Sequence, residues 1–285
     1  MFGKKEEFVL MPFFKLYNFF IKGAFLIDYV FDKRLRDLLH KNRLFMDKYE
    51  GKKCYIFGNG PSLKSVDLSG LKDEYVFSVN FFMKSDLFGL VKPNFHVMID
   101  PIYFKKEFLG LKSDIGLIRS AFEKNNEIEF FIPYYGVDNF KLICPKCKVN
   151  VLYSNQVFLP YLLRDSSLVN STPCFANVVL MCIYIAICMG FKKIILLGVD
   201  MNGFIGSMCE NNGEKGEYGH AYDNKDIQVI KKKRYNNEFY LKTYGHVFEQ
   251  FRYFSEYYDG TVVKIYNATP NSLLDNINKV DLKYL

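Results

Sequence analysis

The sequence predicts an α/β fold, a Rossmann-like, mostly parallel sheet with helices on both faces, preceded by an N-terminal helical segment. Two patterns point there. From residue 52 on, short continuous apolar runs alternate with helical stretches, which is how strands buried on both faces of a parallel sheet read. Several of those runs end in Asn or Asp, at the edge where such sheets bind ligands. With 285 residues and 49% hydrophobic content, the chain can fill a large core.

Residues 1–51 form the predicted leader. The stretch "FVLMPFFKLYNFFIKGAFLIDYVF" (8–31) approaches bilayer-spanning length, but Pro12, Lys15, Asn18, Lys22 and Asp28 interrupt it. Lys15 and Lys22 sit seven apart on one helical face, which suits a helix lying in a membrane interface, or one docked on the core or on a second subunit of a homo-oligomer. The following "DKRLRDLLHKNRLFMDKYEGKK" reads as a basic amphipathic helix with Leu35, Leu38, Leu39 and Leu44 inward, and its cations favour an anionic surface. A cytoplasmic protein is expected, and two readings of residues 8–44 stand side by side: peripheral attachment at the cytoplasmic face of the inner membrane, and docking on the core or on a second subunit. Gly51 ends the leader.

Residues 52–285 form the predicted catalytic domain. "CYIFG", "YVFSVN", "FHVMID", "IEFFIP", "VNVLYS", "KIILLGVD" and "VVKIYN" read as buried strands. "PCFANVVLMCIYIAICMGF" reads as a buried helix opening at Pro173 and closing at Gly190, and 246–258 as a helix with Phe248, Phe251 and Phe254 inward.

The net charge of +7 suits an anionic substrate or surface, and no nucleic-acid module is visible. Seven cysteines, an odd number, and no small-residue cleavage site point to a reducing cytosol. Cys144 and Cys147 in "CPKC" lack a second pair at zinc spacing and read as two loop thiols.

The candidate site begins at "IFGNGPSL". Gly58 and Gly60 are expected to bring bare backbone to a ligand, Pro61 to start a helix, Ser62 to add a hydroxyl, and the open helix end to seat a phosphate. Asn59, Asn80, Asp100 and Asp200 close successive strands and share one edge. No Asp-X-Asp occurs, and Asn202 stands where a second carboxylate would, so no metal site is assigned, although Asp100 and Asp200 could still meet in space. His40 reads as solvated and His96 as core. His220 and His246 follow glycines and suit proton transfer. The glycine-rich stretch 202–219 reads as a lid or a long surface loop.

With those residues laid out, the chain resembles two related groups. "IFGNGPSL", "MGFKKIILLGVD", "YGH" and "ATPNSLL" are similar, in order, to small bacterial sialyltransferases of glycosyltransferase class 42. "KPNFHVMIDP" and "GVDMNG…GHAYD" look more like the group called domain of unknown function 115, which includes motility-associated-factor flagellin glycosyltransferases. The resemblance implies metal-independent, inverting transfer of sialic acid or a related nonulosonic acid from a CMP-sugar donor to a glycan or glycolipid acceptor, on a GT-A variant without a cofactor. It places the nucleotide on Asn59–Ser62 and Asn80, the base at His246, and a closing motif at Pro270, Asn271 and Ser272. Asn202 and His220 stand where the family has tyrosines at the leaving phosphate. Ser171, Thr172 and Asn177 stand near its small polar helix start. Part of the second group also implies an ATP-dependent, pyrophosphokinase-like phosphotransferase, and a non-catalytic membrane-associated scaffold is the third reading.

Overall fold

The computed structural model describes residues 4–104, 112–205 and 236–285. Nine parallel-paired strands form one sheet in the order β6-β5-β4-β3-β2-β1-β7-β8-β9. The strands are β1 Lys53–Phe57, β2 Tyr75–Val79, β3 Phe95–Val97, β4 Glu129–Pro133, β5 Lys148–Val157, β6 Ser171–Cys174, β7 Lys193–Leu197, β8 Lys264–Asn267 and β9 Asn278–Lys279. The described helices are α1 Lys4–Phe31, α2 Lys33–Lys41, α3 Leu87–Val91, α4 Lys112–Lys124, α5 Val137–Ile143, α6 Val178–Cys188 and α7 Asn237–Tyr258.

Alternate residues of a strand face opposite sides of the sheet. Cys54 and Ile56 therefore enter one core with α6 and α7, while Tyr55 and Phe57 enter the other with α3, α4 and α5. Ile194 and Leu196 part from Ile195 and Leu197 in the same way. Both faces are covered, so each of these strands had to be apolar throughout. That is why the seven predicted strands were readable, and all seven form.

Two strands were not predicted. Ser171–Cys174 pairs with β5, where a helix start was expected at Pro173. The helix begins instead at Val178, capped by Asn177, whose side chain accepts from the Val179 N–H. Strand β9 is two residues long.

The leader is tied into this sheet. α1 and α2 pack on β5. The Asn18 amide donates to the Val157 carbonyl and accepts from its N–H, each at 2.9 Å. Asn42 is fully buried and donates to the carbonyls of Val151 (2.7 Å) and Leu168 (2.8 Å). Leu35 and Leu39 are buried as expected, but Leu44 is exposed. Residues 47–51 run along the end of α6, with Asp47, Tyr49 and Gly51 donating to Cys188, Met189 and Gly190. Cys144 and Cys147 are joined as a disulfide rather than left as two thiols, and Cys174 lies on β6, not on the helix.

Candidate active site at the carboxyl edge of the sheet

All strands are parallel, so their carboxyl ends share one edge. The chain order reverses between β1 and β7, which lie side by side, and this is the topological switch point where open α/β sheets take ligands. The loops after β1 and β7 meet there. Gly58 N–H donates to Leu197 and Gly60 N–H to Gly198, both at 2.8 Å.

The glycines serve that meeting. Neither Gly58 nor Gly60 has a positive φ. A Cβ on Gly58 would overlap the Gly198 carbonyl, and one on Gly60 would overlap the Asp200 carboxylate. The space expected for a phosphate is thus taken by the β7 loop. Pro61 opens only a five-residue 3-10 turn, Pro61–Ser65. The Ser62 N–H donates to Asp200 Oδ1 (3.2 Å) and its hydroxyl to Oδ2 (2.7 Å). A protein carboxylate occupies the seat predicted for a ligand anion. Burial raises the Asp200 pKa, and the two Ser62 hydrogen bonds work against that.

The next loop braces this pair. The Ser272 hydroxyl donates to the Val199 carbonyl (2.6 Å), the Val199 N–H donates to Thr269 Oγ1 (3.0 Å), and the Leu273 N–H donates to the Asp200 carbonyl (2.9 Å). Ser272 is therefore a support for Asp200, and Thr269, missed in the sequence, is a second. Four residues of this edge hold left-handed backbone: Asn80 (φ 47°), Gly198 (64°), Met201 (56°) and Asn271 (54°). Three of them are not glycine, and such conformations persist only where surrounding contacts enforce them.

Asn59 and Asn80 each bury an amide oxygen with no hydrogen-bond donor. Beneath Asn80, His96 is fully buried with Nδ1 on the Ser78 hydroxyl (2.8 Å), and burial lowers its pKa to about 3. It is a core histidine, as expected. Asp100 is exposed at the end of β3. Asp100 follows β3 and Asp200 follows β7, with β2 and β1 between those strands in the sheet. Asn202 follows β7, and its carbonyl accepts from the Ile205 N–H.

The remaining predicted residues have structural work. The Gln156 amide donates to Ser171, and the Thr172 and Ser154 hydroxyls bond each other at 2.7 Å, both inside the β5–β6 pairing. Asn177 spends its oxygen on the α6 cap. His246, the first residue of the helix expected over 246–258, lies inside a longer one, Asn237–Tyr258. Gln250 Oε1 accepts from the Ala176 N–H (2.9 Å), which turns its amine to His246 Nε2 (3.2 Å). That leaves the proton on Nδ1, facing Glu249 at 3.4 Å. Both ring nitrogens have partners within α7. His40 is bonded by Tyr29 at 2.6 Å. His220 and most of the stretch 202–219 lie outside the described residues.

A cleft that local motifs did not signal opens between β4–β5 and the leader helices α1 and α2. Its volume is about 450 Å³, and its walls include Asp28, Asp32, Tyr134, Tyr135, Tyr153 and Asn155. Tyr134 donates to Asp32 and Tyr153 to Asp28. Burial raises the pKa of Tyr134, Tyr135 and Tyr153 to about 12. For Tyr134 and Tyr153 the adjoining carboxylate adds to this, and for Tyr135 the charge of Asp100 does. The Tyr134 hydrogen bond in turn lowers the Asp32 pKa. Asn155 Oδ1 is buried without a donor.

Residues 31–203, more than half of the chain, match the family described as 6-hydroxymethylpterin diphosphokinase MptE-like. The chain belongs to that family. No curated protein matches. The matched span runs from α2 past β7 and holds Gly58–Ser62, Asn80, Asp100, Asp200 and most of the cleft, while His246, Asn271 and Ser272 fall outside it. This membership overturns the sialyltransferase resemblance and what it implied: glycosyl transfer, the CMP-sugar donor and the glycan or glycolipid acceptor. The MptE-like family is named for a diphosphokinase, which fits the phosphotransferase alternative instead.

Proposed function

We propose that this protein transfers the terminal diphosphate of a nucleoside triphosphate to the hydroxymethyl group of a flat, pterin-like heterocycle. The carrying observation is that one matched span, named for this chemistry, contains both the β1–β7 switch point and the tyrosine-lined cleft. In strand order Asp100 stands between them.

The acceptor's hydroxyl oxygen attacks the β-phosphorus, and the bond from that phosphorus to the α–β bridging oxygen breaks. The nucleoside monophosphate departs with the electron pair, and Asp100 takes the hydroxyl proton. Such transfers depend on positioning and charge stabilisation more than on covalent chemistry by the protein. Magnesium enters as part of the nucleotide substrate. Among the described residues no three His, Cys, Asp or Glu side chains gather as a metal cluster. The buried Asn59 and Asn80 amide oxygens and the Asp200 carboxylate are the hard oxygen donors that suit a hydrated magnesium ion on a triphosphate. In the cleft, tyrosine rings stack the heterocycle, and Asp28 and Asp32 have lone pairs left to accept its N–H groups.

The test is to incubate the protein with ATP, magnesium and 6-hydroxymethylpterin or its dihydro form, following products by phosphorus NMR. AMP and a pterin diphosphate in equal amounts are expected. ADP as the nucleotide product, or no turnover and no thermal stabilisation by magnesium-ATP, overturns the proposal. Asp100→Asn should keep the nucleotide stabilisation and lose about 10²-fold in kcat, the lower end for loss of a general base.

A further inference from the structure

The outer face of α1 gathers many of the exposed large apolar side chains on the described surface. Phe13, Leu16, Tyr17, Phe19, Phe20, Leu26, Ile27, Val30 and Phe31 are each at least half exposed. At 100° per residue they occupy one half of the helix circumference, over about 27 Å of its length. Pro12, Gly23 and Ala24 complete that half over residues 12–31, so this stretch of it carries no charged residue. The opposite half, with Asn18 and Phe25 buried, is docked on the sheet. No described helix is long and apolar enough to cross a membrane.

Single exposed apolar side chains are ordinary, but a contiguous patch of this size needs a cover. Two covers fit its shape, and charge separates them. Residues 4–44 contain six lysines and three arginines against five acids, a surplus of four in a chain whose net charge is +7. Lys15 and Lys22 are exposed and lie at one border of the apolar half, where long side chains can reach outward past it. A second copy would set one positive segment against another. Anionic lipid headgroups would be attracted to both.

We propose that α1 seats this protein on an anionic lipid surface, lying in the plane of the interface with its apolar half sunk among the acyl chains. Helices of this kind bury about 5–10 Å and gain from cations at their borders. The docked half replaces the water-facing side that an isolated interfacial helix would need.

The test is flotation of the full chain with vesicles of phosphatidylcholine alone and with 30% phosphatidylglycerol (roughly, the proportion being chosen to give a strong surface charge). Binding to the anionic vesicles should be at least ~10-fold greater and should weaken as salt rises. The variant Leu16→Gln/Phe20→Gln/Ile27→Gln changes only exposed side chains, so it should melt like the wild type and lose binding. Lys22→Glu/Lys33→Glu, a second variant at exposed positions, should lose the preference for anionic vesicles. Failure of the wild type to float, equal binding to both vesicles, or full binding by the glutamine variant overturns the proposal. So does a concentration-dependent dimer that the glutamine variant dissociates, because a second copy then covers this face.

Discussion

Gly60→Ala is the sharpest probe of the switch point. The added methyl would overlap Asp200 Oδ2 and stand 2.6 Å from the Gly198 carbonyl oxygen, so neither loop can remain where it is. The backbone angles of Gly60, φ −67° and ψ 146°, are open to alanine, so strain in its own conformation contributes nothing. What is lost is the pair of hydrogen bonds from Ser62 to the carboxylate. Hydrogen bonds to a charged group contribute about 1.5–3 kcal/mol each, and Asp200 can recover part of this by turning to solvent. The expected destabilisation is therefore about 2–4 kcal/mol. Urea unfolding followed by circular dichroism would measure it as a lower midpoint with an unchanged m-value. Ser62→Ala removes only the hydroxyl bond and should cost less, and the Gly60→Ala/Ser62→Ala double variant should cost much less than the sum, because both act through Asp200. A Gly60→Ala protein within about 0.5 kcal/mol of the wild type, the ordinary range for surface changes, would refute the packing explanation.

Two further outcomes follow from buried polar groups. His96 is held neutral, with its pKa lowered from 6.5 to about 3, so the unfolded chain binds a proton that the folded one does not. Stability should therefore fall as pH drops from about 6.5 toward 3, by up to roughly 1.4 kcal/mol per unit from this group. Denaturant titrations across that window should show the slope reduced in His96→Gln. Asn42→Ala would strand the buried carbonyls of Val151 and Leu168, at about 1–3 kcal/mol each. A loss of roughly 2–5 kcal/mol in urea unfolding is expected, and a loss under 1 kcal/mol would mean that α2 is only loosely attached.

The strands were legible because burial on both faces leaves an unbroken apolar run, as in "YIF" and "IILL". β6 was not, because Ser171-Thr172-Pro173-Cys174 carries neither apolar continuity nor alternation, and its Pro173 resembles a helix start. The residues closing β1, β2, β3 and β7 do share the edge that the sequence predicted. Their roles were less legible. A glycine required by a neighbouring loop looks the same in sequence as one required by a ligand, and the neighbour here, Asp200, is 140 positions away. The cleft is not legible in the sequence, because its walls come from residues near 28–35, 133–135 and 152–155, none of which forms a local motif. The helix expected from residue 246 starts earlier, at Asn237, and runs through Gly245; continuous helix on both sides overrides the cost of that glycine. The resemblance to sialyltransferases rested on short strand-end segments. Those segments report where a sheet binds, and the reaction depends on side chains between them.

The amide clasp between Asn18 and Val157 has a consequence for everything outside it. A helix docked by grease alone can roll about its axis, since one oily side chain replaces another at little loss. Here a rotation of one residue would carry the clasp about 100° away from the Val157 backbone that it bonds. Asn18, together with the Asp28 carboxylate that Tyr153 holds, thus decides which oily side chains stay out in the open.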